Sequence, residues 1–281
     1  MTRTALAIAL AASALAATGC TDSGGMTGLE ALDALQEVNQ SARGQQATSG
    51  PIEISTDFTI GDAIESAAQT IAEFWESQAD CTEVTVEGNT ATIDYGVLND
   101  PCVYSGYTYA GVNTVTVEST AASELEVLHT WTGFTNGDVT VDGEDVVTWS
   151  SEDLTRRVVT EHTWTDVATG ETVDVWGEHL QGKLDESRTV WDSGFTMAGT
   201  REWLSDAGEW VLDMSDLELR MVDPAPQAGT LSVINPDGKT LEVLYERLDD
   251  DTIQATLTGL RYGDRIYHIS RYGQYEDVTD G

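Results

Sequence analysis

Apolar and polar residues follow two different periods along this chain. Over residues 29–80 the apolar positions recur every three or four residues, which predicts a helical N-terminal segment. One amphipathic helix is predicted to begin at Leu29 and to end by Gly44, and a second to begin at Asp62. The intervening residues 44–51 contain glycine and proline and are predicted as a loop.

After Cys81 the period of the apolar positions falls to two, which is typical of half-buried strands. The alternation is clearest over residues 112–117, 125–131, 158–164 and 241–245. Residues 81–281 are therefore predicted to form an antiparallel β domain.

Turn-forming residues separate these runs and leave little room for helices. They are Asp142-Gly143, Thr169-Gly170, Ala207-Gly208, Asn235-Pro236-Asp237-Gly238, Asp249-Asp250-Asp251 and Gly263-Asp264. We predict a mainly β fold, a large antiparallel meander sheet of a dozen or more strands that is curled or sandwich-like, preceded by one or two amphipathic helices. Residues 223–227 carry two prolines, which cannot donate ladder hydrogen bonds, and are predicted as a sub-boundary.

Tryptophans recur about once per predicted strand, at Trp131, Trp149, Trp164, Trp176, Trp191, Trp203 and Trp210. The triplet His-Thr-Trp occurs twice, at residues 129–131 and 162–164. One interpretation is a buried core, because alternation gives each strand a single apolar face. The other is a surface for a glycan or a lipid, for which the candidates are Trp131, Trp164, Trp203 and Trp210.

The chain carries 49 acidic and 13 basic residues, for a formal net charge of −36. A molecule this acidic repels phosphate, which excludes nucleic acid as a partner. Hydrophobic residues make up 40% of the chain, which is too many for a disordered acidic tail and enough for a sizeable core.

The first residues predict export. Arg3 precedes the uncharged apolar residues 5–17, a run typical of a signal peptide and shorter than the about 20 residues of a membrane span. The run ends in Ala17-Thr18-Gly19-Cys20, which resembles the lipobox of bacterial lipoproteins except that Ala17 stands where Leu or Val is usual. The resemblance implies that residues 1–19 are a lipoprotein signal peptide and that Cys20 is lipid-modified and anchored to a membrane.

An ordinary cleaved signal peptide, which would leave Cys20 unmodified in the mature chain, is the alternative. Residues 20–28 are polar and glycine-rich and are predicted as a tether. Thr21 stands where enterobacterial lipoproteins that stay in the inner membrane have Asp, which favours the outer membrane.

The number of cysteines supports a lipidated Cys20. Three cysteines are an odd number in an exported chain, and lipid on Cys20 leaves Cys81 and Cys102 to pair. They flank two alternating runs, residues 83–87 and 90–95, around a Gly-Asn turn. Because a hairpin brings its ends together, a disulfide between Cys81 and Cys102 is predicted.

Residues 54–60, 104–111 and 129–143 resemble segments of uncharacterised β-sheet-rich secreted lipoproteins of myxobacteria and related groups. The resemblance covers most of the chain after the tether and implies an envelope location and a β architecture. It implies no activity, because its motifs are strand and turn patterns.

No catalytic signature stands out among the residues that carry chemistry. The histidines His129, His162, His179 and His268 form no His-Glu-x-x-His motif, and a Gly-x-Ser-x-Gly elbow is absent. His129 and His162 would approach each other if their strands were neighbours, but no third metal ligand is specified. With 49 acidic residues, no carboxylate pair can be singled out for glycoside hydrolysis. We predict no catalytic residue, no metal and no cofactor.

These observations together predict a lipid-anchored cell-envelope protein that acts as a non-catalytic structural or interaction component. Its expected membrane contact is the lipid on Cys20, and its protein or glycan partner is not indicated by any motif. The alternative is a carrier that binds a lipid or glycan along a Trp-lined β surface.

Overall fold

A computed structural model describes residues 24–61, 64–104, 106–121, 124–150, 152–185, 193–220 and 222–279. In that part of the chain a helical segment precedes a long series of strands. The helices are α1 (Gly28–Ser41), α2 (Arg43–Gly61) and α3 (Ile64–Gln78). The strands are β1 (Glu83–Glu87), β2 (Thr90–Asp94), β3 (Gly96–Val97), β4 (Asp100–Tyr104), β5 (Tyr107–Ala121), β6 (Glu124–Thr135), β7 (Val139–Ser150), β8 (Thr155–Asp166), β9 (Thr172–Lys183), β10 (Phe195–Ser205), β11 (Gly208–Leu219), β12 (Ala228–Ile234), β13 (Thr240–Arg247), β14 (Thr252–Thr258), β15 (Arg265–Ser270) and β16 (Tyr275–Asp277).

The strands form one antiparallel sheet in which almost every strand pairs with the next along the chain. The order is β1-β2-β5-β6-β7-β8-β9-β10-β11-β12-β13-β14-β15-β16, and β3 and β4 form a branch in which β4 also pairs with β5. Antiparallel neighbours need only short connections, which matches the turn signals in the sequence. The prediction of a mainly β fold, built as a large antiparallel meander after a helical segment, is confirmed.

The described residues divide into two compact units. The first unit contains the residues up to Ser41 together with those from His179 onward, and the second contains Ala42–Glu178. Residues 223–227, the predicted sub-boundary, connect β11 and β12 within the first unit.

Helix α1 forms as predicted, and it buries one face. Ala31, Ala34, Leu35 and Val38 are buried, whereas Leu29 is exposed. Alanine has no side chain beyond Cβ, so a face with two alanines lets the helix axis approach its neighbours closely.

Helix α2 corrects the prediction of a loop over residues 44–51. Most of the buried residues described in α2 are small: Gly44, Ala47, Thr48, Pro51 and Ser55 are buried beside the larger Ile52. Such a face has few of the large apolar residues that mark an amphipathic helix, and Gly44 and Pro51 resemble turn signals. Packing against the sheet outweighs the weak local preference for helix.

The Asp142-Gly143 pair was predicted as a turn, and this prediction is wrong. Both residues lie inside β7. The neighbouring strand β6 has a bulge between Trp131 and Phe134, and the Asp142 carboxylate accepts a hydrogen bond from the backbone N–H of Gly133 at 2.7 Å. Gly143 has a φ of +132°, and a Cβ there would lie 2.5 Å from a backbone oxygen of β8. Asp-Gly therefore supports a bulge in this chain and does not reverse its direction.

The predicted tether, residues 20–28, is described by the structure from Gly24 onward. Met26 is fully buried and forms a parallel bridge with Leu260. Its N–H donates to the Gly259 oxygen at 2.9 Å, and its oxygen accepts from the Arg261 N–H at 2.7 Å. A free tether therefore has to end before Met26.

The hairpin of β1 and β2 and the disulfide between Cys81 and Cys102 are both confirmed. The two Cα atoms lie 5.1 Å apart, and the bond links the chain just after α3 to β4. Trp75 of α3 is buried beside Tyr95 and Tyr104, with ring centroids 5.1 Å and 5.4 Å away. The disulfide therefore holds α3 against an aromatic part of the core.

We expect the double variant Cys81→Ser, Cys102→Ser to lose about 3 kcal/mol of unfolding free energy, because the bridge restricts the unfolded chain. Urea denaturation followed by circular dichroism measures the loss. Wild-type protein unfolded under reducing conditions should match the variant. An alkylating reagent that labels either cysteine of the unreduced, exported chain would contradict the pairing.

Candidate functional site

The four tryptophans proposed as a ligand surface are all buried, with exposed fractions of 2% for Trp131, 0% for Trp164, 0% for Trp203 and 4% for Trp210. Trp131 and Trp164 belong to the second unit, and Trp203 and Trp210 to the first. Trp176, by contrast, is 42% exposed. The core interpretation therefore describes these four rings.

In the first unit, Trp203 and Trp210 stand opposite each other on β10 and β11. Their rings are nearly parallel, with an angle of 3° and centroids 6.0 Å apart. The indole N–H of Trp203 donates to the Glu37 carboxylate of α1 at 3.0 Å. The pair packs next to the turn of the β10–β11 hairpin, beside α1.

The second unit contains a buried polar group of side chains, which we call the Asp145 cluster: His129, Trp131, Asp145, Thr160 and His162. Asp145 lies on β7 between His129 of β6 and Thr160 of β8 in the strand register. The exposed fraction of these five side chains does not exceed 6%. The two His-Thr-Trp triplets therefore lie on the two strands that flank β7, not on neighbouring strands.

The Asp145 carboxylate is held by donors from both sides. The Trp131 indole N–H donates to Oδ2 at 2.7 Å, and the Thr160 hydroxyl donates to Oδ1 at 2.7 Å. The Nδ1 atom of His162 lies 3.8 Å from Oδ2. These contacts satisfy a carboxylate that would otherwise be costly to bury.

Burial and hydrogen bonding act in opposite directions on the pKa of Asp145. Burial raises this pKa, but the interactions with His162, Thr160 and Trp131 favour the ionised form and together leave the pKa below its ordinary value. Burial lowers the pKa of His129 to about 4, and the negative charge of Asp145 offsets only part of that effect. At neutral pH the cluster therefore holds an ionised Asp145 beside a neutral His129.

Helix α2 covers the cluster. It packs against β6, β7 and β8, and a Cβ at Gly44 would lie 2.5 Å from the Nε2 atom of His162 and 3.0 Å from the Trp164 ring. The Arg43 guanidinium lies 5.1 Å from the centre of the Trp164 ring and pairs with Asp166 at 2.5 Å. A second ion pair, Arg156 with Glu53 at 2.6 Å, joins α2 to β8.

The Asp145 cluster stabilises the packing of α2 on the sheet. The reaction open to its side chains is the uptake or release of protons, which takes place when the core opens to the solvent. His129 stacks on Trp131 with centroids 5.4 Å apart, and within the described ranges neither of its ring nitrogens has a hydrogen-bond partner. A proton on His129 would place a second, positive charge in the core. We therefore interpret the cluster as an acid-sensitive structural centre.

The sequence contains a signal for Asp145 that the predictions missed. Asp145 falls in the same phase of the alternation as Val141 and Val147, which are buried. An acidic residue in the inward phase of a strand indicates a buried carboxylate that needs partners.

The other two histidines lie elsewhere. His179, the first residue of the C-terminal segment of the first unit, is buried. His268 is half-buried on β15. Over the residues that the structure describes, no three His, Cys, Asp or Glu side chains are grouped as metal ligands. None of the described helices is long and apolar enough to cross a membrane. Cys20 and the lipobox lie outside the described residues.

Comparison of the chain with protein-family models, curated proteins and solved structures gives no significant match.

We expect His129 to make the second unit less stable in acid. A buried histidine with a pKa of about 4 makes its full contribution to the unfolding free energy above its ordinary pKa of 6.5. That contribution is lost as the pH falls toward 4. His129→Phe keeps the stacking ring without a titrating group. When the pH is lowered from 7.5 to 4.5, the unfolding free energy of the variant should fall by about 3 kcal/mol less than that of the wild type. Urea titrations at the two pH values measure this difference.

Val115→Ala is the matched control, because Val115 lies opposite His129 on β5 and does not titrate. It should lower the unfolding free energy equally at both pH values. Equal acid sensitivity in the wild type and His129→Phe would contradict the neutral, buried histidine.

Gly44→Ala should destabilise the protein by about 1 to 3 kcal/mol, because the added methyl overlaps His162, although alanine is the better helix former. Thermal and urea unfolding measure the loss. In a His162→Ala background the same substitution should cost clearly less, because its partner in the overlap is gone. An equal cost in both backgrounds would show that Gly44 is needed for another reason.

Proposed function

We propose that this chain is a lipid-anchored protein of the bacterial cell envelope, held at the outer membrane by lipid on Cys20. Its β body is a structural or interaction component and not a catalyst. The lipobox-like sequence at residues 17–20 supplies the anchor, and the observation that carries the proposal is the disulfide between Cys81 and Cys102.

The disulfide supports export because such bonds persist in oxidising compartments and are rare in the cytosol. It also accounts for two of the three cysteines and leaves Cys20 as the single remaining thiol. A lone thiol directly after a small-residue cleavage sequence is the expected acceptor of a lipid.

The contacts of the buried tryptophans support a structural role for the sheet. The N–H groups of Trp131 and Trp203 donate to Asp145 and Glu37, and the Arg43 guanidinium lies over the Trp164 ring. A platform for sugar or lipid needs exposed ring faces, and these rings are covered by other parts of the chain. The carrier alternative therefore receives no specific support.

The solvent-facing side chains of the second unit support a body adapted to an aqueous surface. Threonines pair across strands, as in Thr90 with Thr116 at 2.9 Å, and Thr163 donates to Asp174 at 2.6 Å. Together with the net charge of −36, such faces favour solubility at high local concentration.

The test is Cys20→Ser in a bacterial host supplied with an alkyne fatty acid. The wild type should incorporate the label and sediment with outer membranes on a density gradient. Cys20→Ser should remain unlabelled and keep its signal peptide, because the lipoprotein peptidase acts only on the lipidated cysteine.

Cys102→Ser is the matched control, because it removes a thiol that lies outside the lipobox. It should be labelled and processed like the wild type. Normal processing of Cys20→Ser would show that an ordinary signal peptidase acts, and the anchor would be disproved.

A further inference from the structure

Met26 fixes the start of the described N-terminal chain to the first unit. Met26 is hydrogen-bonded on both sides to the segment that connects β14 and β15. At Gly25 the fit is so close that a Cβ would lie 2.8 Å from the Gly259 oxygen and 2.9 Å from the Arg261 nitrogen. At Gly24 a Cβ would meet no atom within 4 Å. Gly25 is therefore closely packed on the body, and Gly24 is not.

The segment that holds Met26 belongs to one end of the strands of this unit, which we call the Met26 end. It carries the β10–β11, β12–β13 and β14–β15 connections. Contacts join these connections to each other: a Cβ at Gly208 would lie 2.9 Å from Pro236, and one at Gly259 would lie 2.2 Å from the Thr240 oxygen.

The opposite end, which we call the Arg247 end, carries the β11–β12, β13–β14 and β15–β16 connections. The Arg247 guanidinium pairs with Asp223 and donates to the backbone oxygen of Asp249 at 3.2 Å. Arg271 donates to Asp251 at 3.1 Å. The two ends are separated by the length of β15, which is 6 residues, or about 20 Å.

We propose that the Met26 end of the first unit faces the lipid surface and that the Arg247 end points away from it. The proposal rests on the proposed function, because it takes Cys20 as the anchored residue. From Cys20 to Gly25 the chain can extend over at most about 18 Å. A lipid on Cys20 therefore keeps the Met26 end close to the lipid headgroups, whatever path the intervening residues take.

The side chains of the two ends agree with this orientation. The 49% exposed Tyr262 lies two residues after Leu260, which pairs with Met26. Tyrosine suits the headgroup region, since it combines an apolar ring with a polar tip. The Arg247 end carries three consecutive acids, Asp249, Asp250 and Asp251, which an anionic lipid surface repels, whereas the connections of the Met26 end carry single acids, Asp206, Asp237 and Asp264.

The chain offers a matched pair of positions for the test. Arg-Tyr-Gly occurs at residues 261–263 on the Met26 end and again at residues 271–273 on the Arg247 end. Tyr272 is 77% exposed. Tyr262 and Tyr272 can each be replaced with azidophenylalanine, which keeps an aromatic ring and leaves every thiol untouched. A fluorophore is then coupled to the azide.

The full chain, purified from membranes, is reconstituted into vesicles of phosphatidylethanolamine and phosphatidylglycerol with a quencher on the lipid headgroup. We expect the fluorophore at 262 to be quenched several-fold more strongly than the fluorophore at 272. Inserting 20 Gly/Ser residues between Ser23 and Gly24 should remove the difference, because a flexible linker of this length spans about 25 Å or more.

Equal quenching at both positions, or stronger quenching at 272, would overturn the orientation. A difference that persists after the insertion would overturn the short chain as the cause of the orientation. Intact mass of the purified chain reports separately on the proposed function. If Cys20 carries no lipid, that function fails, and coupling a maleimide lipid to the Cys20 thiol still lets the orientation be measured.

Discussion

A carboxylate can stay ionised inside an apolar core only if donors surround it, and this requirement organises the second unit. Asp145 on β7 needs partners from both neighbouring strands, and Trp131 and Thr160 supply them. From the His-Thr-Trp triplet of β6, Trp131 donates to this carboxylate, and from the triplet of β8, His162 lies 3.8 Å from it. The close approach of α2 to the cluster also requires a residue without a side chain at Gly44, because a Cβ there would lie 2.5 Å from the Nε2 atom of His162.

The first unit uses a related contact between a helix and the sheet. There the indole N–H of Trp203 donates to Glu37 of α1, so that in each unit a buried tryptophan is hydrogen-bonded to a carboxylate. In the second unit the carboxylate belongs to the sheet, and in the first it belongs to the helix. The consequence differs: Asp145 is sealed in the core, whereas the pair of Trp203 and Glu37 is only partly buried.

Period-two alternation was sufficient to predict the strands, because every meander strand buries one face and its partner is the next strand along the chain. It could not reveal α2, because five of the six buried residues described in that helix are small and give no apolar period. Nor could it separate a bulge from a turn at Asp142-Gly143, because both need a positive φ. The alternation predicted that each strand buries one face, but it left open whether Trp131, Trp164, Trp203 and Trp210 belong to a core or to a ligand surface. The pattern did not predict the Asp145 cluster, because the cluster depends on three strands coming together.

The bridge between Met26 and Leu260 also constrains the order in which the first unit can form. Almost every other strand contact in the meander joins neighbours in sequence, which can pair as soon as both have emerged. Met26 must wait for a partner near the opposite end of the chain, so an exported chain would carry its N-terminal segment unpaired until the β14–β15 connection has been delivered. The first unit therefore cannot finish folding until nearly the whole polypeptide is present. A chain that ends before Leu260 would leave its N-terminal segment exposed to proteases.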